Sequence, residues 1–93
     1  MATALALPAA APAESQTCDS FVHHGYSATS IHERGMGCDA AHGIVRHVIE
    51  HGAGGLHELT CRRLQSGHTA VWSCHREIHG QRVDVAFRLR AAH

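Results

Sequence analysis

The chain has 93 residues and a formal charge of zero, from eight Arg against eight Asp plus Glu, with eleven His, four Cys and no Lys. That length makes one small domain and leaves no room for a second core, and no apolar run reaches the roughly 18 residues of a membrane-spanning helix. Neutrality argues against nucleic acid or an anionic membrane as a standing partner, because those partners reward a constant positive field.

Residues 2–13 are small and apolar and end in Ala11-Pro12-Ala13 before the polar run Glu14-Ser15-Gln16-Thr17. They read as the second half of a secretory signal peptide cleaved between Ala13 and Glu14, although no charged segment precedes the apolar stretch. The alternative is a disordered Ala/Pro tail. Residues 1–17 are therefore expected to be a leader remnant or tail, residues 18–93 a single domain, and the protein secreted.

Residues 20–24 and 26–33 are expected to be strands around a His24-Gly25 turn. Gly37-Cys38-Asp39 then opens a helix to about His51, in which Cys38, Ala41, Ile44, Val45, Val48 and Ile49 form one apolar stripe. Asp39 in the first turn and His51-Gly52 at the end suit the helix dipole and a glycine stop. Residues 56–66 and 69–79 read as strands around Gly67-His68, and residues 81–90 alternate cleanly, with Val83, Val85, Phe87 and Leu89 on one face. The order β-β-α-β-β-β predicts an α+β fold: an antiparallel sheet of about five strands with one helix on one face.

Register arithmetic sharpens the second half. A Gly67-His68 turn puts Cys61 across from Cys74 and Arg63 across from Trp72, as a cation–π pair. A Gly80-Gln81 turn would put Cys74 across from Phe87, Trp72 across from Leu89 and Glu77 across from Asp84.

The spacing of Cys18, Cys38, Cys61 and Cys74 contains no C-x2-C pair, which removes support for a zinc finger or a thioredoxin-like redox site. An even count beside an export signal reads as two structural disulfides. Cross-strand proximity favours Cys61–Cys74 with Cys18–Cys38. Strand cysteines that point at the helix would instead allow Cys38–Cys74 with Cys18–Cys61.

The runs Cys18-Asp19-Ser20, Tyr26-Ser27-Ala28-Thr29-Ser30-Ile31, Gly35-Met36-Gly37-Cys38-Asp39-Ala40-Ala41-His42-Gly43-Ile44-Val45-Arg46, Leu59-Thr60-Cys61-Arg62-Arg63, Val71-Trp72-Ser73-Cys74 and Val83-Asp84-Val85-Ala86-Phe87 resemble small secreted Cys-containing proteins of high-GC Gram-positive bacteria. The lack of Lys and Asn agrees with a GC-rich genome. What the resemblance implies is an exported, disulfide-bonded α+β domain of mostly uncharacterised function. The His content and the longer hairpin after Cys74 depart from that pattern, so no functional residue carries over beyond the four Cys.

Two histidine constellations have ligand spacing. His75, Glu77 and His79 alternate on one strand and project to one face, with Asp84 opposite, a set that suits zinc or copper. His47 and His51 lie one helical turn apart and can chelate a divalent ion, but Val48 stands where a metalloprotease helix carries its Glu. His23-His24 at the first turn has no third ligand that spacing identifies. Solvated polar faces are the plain alternative for each.

No Gly-x-Ser-x-Gly elbow orders a nucleophile, and Gly52-Ala53-Gly54-Gly55 follows a helix, so it cannot cradle a phosphate at a helix start. Arg62, Arg63 and Arg76 near Trp72 make a weak basic patch in a neutral chain. The expected function is a secreted, non-catalytic, disulfide-bonded binding or interaction module with an unidentified extracellular partner. The alternative is extracellular capture of zinc or copper by surface histidines. A third expectation is pH-gated attraction to anionic surfaces, because histidines with an unperturbed pKa of about 6.5 charge below about pH 6.

Overall fold

Alternating apolar residues build a six-stranded antiparallel sheet, and the 3.6-period stripe builds one helix across it. The structure, a computed structural model, describes residues 14–56, 58–65 and 67–92; the expected leader at residues 2–13 lies outside them. The elements are β1 (Ser15–Cys18), β2 (Phe21–His23), β3 (Tyr26–Arg34), α1 (Cys38–His51), β4 (Thr60–Gln65), β5 (Thr69–Ile78) and β6 (Gln81–Ala91). Strand order is β1-β3-β6-β5-β4, with β2 beside β1 on the same edge of β3. The chain's last strand is thus inserted in the middle of the sheet, where it joins the N-terminal hairpin to the C-terminal meander.

The α+β class and the single helix stand as expected, and four details differ. The first strand is broken at Asp19-Ser20 and starts earlier, so the sheet includes Ser15–Thr17, which the expected boundary assigned to a tail. β4 begins at Thr60 rather than residue 56, because Leu56 and Leu59 turn inward from the connection to pack against the core. The register expected for β4 and β5 holds from Thr60↔His75 through Arg63↔Trp72, then shifts to Gln65↔Val71.

The fourth difference is the β5–β6 turn, which is His79-Gly80 and not Gly80-Gln81. Both residues have positive φ, 51° and 76°, the left-handed backbone that a tight two-residue hairpin needs. Cys74 therefore opposes Val85, Trp72 opposes Phe87, Glu77 opposes Arg82 and His75 opposes Asp84. The slip is two residues, so every side chain stays on its expected face.

β3 carries the irregularity that shapes the helix start. Its pairing with β6 jumps between Thr29↔Arg88 and His32↔Ala86, and Ser30 has φ 50°. The extra residue inverts the alternation, so Ala28, Ile31 and Glu33 are all buried. Glu33 is the buried charged residue of the described chain, at 3% exposure. Its Oε2 accepts the backbone N–H of Met36 at 3.0 Å and of Gly37 at 2.8 Å, which holds the turn that launches α1. Burial pushes this carboxyl up, but those two N–H donors and the Gln16 side chain outweigh burial, and its pKa lies below the ordinary value.

The core is Phe87, Ile31, Val45, Val85 and Cys74, all fully buried, with Ala28, Ala41, Val48 and Leu89 around them. Disulfides join Cys18 to Cys38 and Cys61 to Cys74, the pairing that cross-strand proximity favoured. The first ties β1 to the start of α1, and the second staples β4 to β5 at directly opposed positions.

Candidate metal centre

Helix positions 38, 42, 46 and 50 recur at intervals of four and share one stripe. Each meets the next part of the β1–β2 edge. Cys38 bonds Cys18, and the His42 ring lies 4.9 Å from the Phe21 ring while its Nε2 donates to the Asp19 carbonyl at 2.8 Å. The Arg46 guanidinium stands 5.9 Å from the Phe21 ring centre, a cation–π contact. Glu50 Oε2 meets His23 Nε2 at 2.7 Å. Twelve helix residues rise about 18 Å, which carries the stripe along the edge from Cys18, past the break at Asp19-Ser20, to His23.

At the far end of this seam the donor atoms of His23, His24 and Glu50 lie within 4.8 Å of one another, the one such group among the described residues. Consecutive strand residues normally point to opposite faces. His24 escapes that rule because it occupies the hairpin turn with φ 49°, which brings its ring to 4.3 Å from that of His23. His23 is partly buried, whereas His24 and Glu50 are exposed. The hydrogen bond from His23, reinforced by the charges of His23, His24 and His51, holds the Glu50 carboxyl below its ordinary pKa. Two imidazoles and a carboxylate form a donor set suited to zinc, with a fourth position left to water.

The sequence-predicted ligands are placed differently. His75 and Glu77 share a strand face, but β5 ends at Ile78 and His79 sits in the turn with positive φ. Asp84 stands across from His75 and lies 3.7 Å from Arg82. These four do not gather their donor atoms as the hairpin and helix do. His47 and His51 do stack, with ring centres 5.0 Å apart, but His47 Nε2 donates to the Gly54 carbonyl at 3.1 Å and no third ligand-bearing residue joins them among the described residues. Spacing drew attention to His23-His24 without a third ligand. The missing signal was Glu50, three turns of the 38/42/46 repeat into the helix.

A groove of about 600 Å³ opens on the same side of the sheet, lined by Met36, Ile44, Leu56, Leu59 and Val83. The Glu58–Arg76 ion pair, 2.5 Å between its closest atoms, supplies its polar wall. Comparison with protein-family models, curated proteins and solved structures gives no match for the chain.

Proposed function

We propose that the protein is an exported, non-catalytic, disulfide-bonded binding module that takes a divalent transition metal, zinc or copper, at the junction of the first hairpin with the helix. The observation that carries this reading is the convergence of His23, His24 and Glu50 donor atoms within 4.8 Å. Side chains from a tight turn and from the last turn of the helix form the site, and the Cys18–Cys38 bond fixes the other end of the seam between the helix and that hairpin's edge. An ion would replace the direct His23–Glu50 hydrogen bond with bonds from both groups to itself, which keeps each satisfied. Export is supported by the paired cysteines, since disulfides persist in oxidising compartments.

Calorimetric titration of the oxidised, tag-free protein with zinc tests the site. Wild type is expected to bind one ion. His23→Ala with His24→Ala, or Glu50→Gln, should weaken it by about tenfold or more, the size of effect that losing a ligand or its support produces. His75→Ala with His79→Ala should leave the titration unchanged. Equal binding by wild type and the His23/His24 double variant would remove the reading.

A further inference from the structure

We propose that the face of the sheet turned away from the helix binds a linear acidic polysaccharide through Arg62, Arg88 and Arg90. The eight Arg and eight carboxylates that cancel in the formal charge are not mixed in space. Strand alternation and register put Arg34, Arg62, Arg82, Arg88 and Arg90 on the uncovered face, against Glu77 and Asp84. The other six carboxylates lie on the helix, on its side of the sheet or in connecting segments, with Arg46, Arg63 and Arg76. A neutral chain therefore presents one positive face at pH 7, and that excess does not wait for histidine protonation.

The positive face is itself divided. Glu77 and Asp84 stand at the end nearest the His79-Gly80 turn, where Arg82 pairs with Asp84. The opposite end carries Arg62, Arg88 and Arg90, which pair with no carboxylate among the described residues. Arg88 and Arg90 follow one another on the central strand about 7 Å apart, and Arg62 lies two strands across at the level of Ala86, about 12 Å from Arg88. Between and beside them the sheet surface is Ser27, Thr29, Thr69 and Ser73, interleaved with Val71 and Ala86 and with Val22 at the edge.

This chemistry selects among polyanions. Phe21, Tyr26, Trp72 and Phe87, the four aromatic residues other than histidine, all sit on the helix side, so the positive face has no such ring on which a nucleobase could stack. Val22, Val71 and Ala86 on this face are small and are separated by the hydroxyl residues, so they do not form the broad apolar surface that enters a bilayer. Hydroxyls that both donate and accept, set among forked guanidiniums, match a polyol chain bearing carboxylate or sulfate groups.

Fluorescence polarisation of a labelled, sulfated heparin-type oligosaccharide, measured with a chelator present so that the metal site plays no part, tests the assignment. Wild type is expected to bind at low salt and to weaken as salt rises. Arg88→Ser with Arg90→Ser should lower affinity by about tenfold or more, about 1.4 kcal/mol, and Arg62→Ser by a smaller factor. These outward-facing changes should leave the thermal melt unchanged, and Arg46→Ser on the helix should leave binding unchanged. Absence of binding, or equal binding by the Arg88/Arg90 double variant, would overturn the proposal. So would tighter binding of single-stranded DNA or of phosphatidylglycerol vesicles.

Discussion

Glu33 shows how one residue can hold an element in place without any sequence motif. A carboxylate at 3% exposure is tolerated because two backbone N–H groups and Gln16 replace its water. Its pKa is lowered in the folded protein, so the stability it confers is complete above the ordinary carboxyl range, near 4.5, and is lost as pH falls through its lower folded value. Urea unfolding between about pH 7 and about pH 3 should show this acid limb. Glu33→Gln, which keeps an acceptor but loses the charge, should cost about 1–3 kcal/mol at neutral pH and flatten the limb. An unaltered acid limb in that variant would assign it to other carboxylates. Glu50 titrates with the same sign, but from an exposed position, so salt should weaken its share. At the centre of the core, Phe87→Ala should cost about 3–5 kcal/mol in the same measurement, the ordinary cost of emptying a fully enclosed aromatic site.

Among the elements, α1 is bound in two independent ways. Its apolar face, Ala41, Val45 and Val48, buries against the sheet, and its 38/42/46/50 stripe clasps the β1–β2 edge. Sequence periodicity exposed the first face because apolar residues repeat with the helix. The second stripe is a cysteine, a histidine, an arginine and a glutamate, which no hydrophobic pattern unites, and its meaning comes from the strand it faces. The Cys18–Cys38 bond anchors the near end of this seam. Replacing that pair by Ala should cost about 3 kcal/mol, from the chain entropy of its 20-residue separation. Hydrogen exchange should then accelerate in β1 and β2 before it does in β5 and β6, which lie in the middle of the sheet. Uniform acceleration across all strands would show that the seam does not open separately.

For the whole molecule, the histidines and charges have separated by location rather than by number. The metal-ligand reading of His75, Glu77, His79 and Asp84 assumed that the strand continued through His79, and the positive φ of a two-residue turn ended it one residue too soon. Neutrality was a sum over a chain whose two sides differ in sign. The sequence by itself determined the helix, five of the six strands and the count of disulfides, because these follow from periods of two and 3.6 residues and from cysteine parity, whereas β1 has no apolar alternation to mark it. Tertiary structure alone decided that β6 lies between β3 and β5, that a bulge turns Glu33 inward, that Glu50 reaches the His23-His24 turn, and that five arginines share one face. Each of these depends on which distant segments pair and in what register, and local periodicity carries no record of that choice.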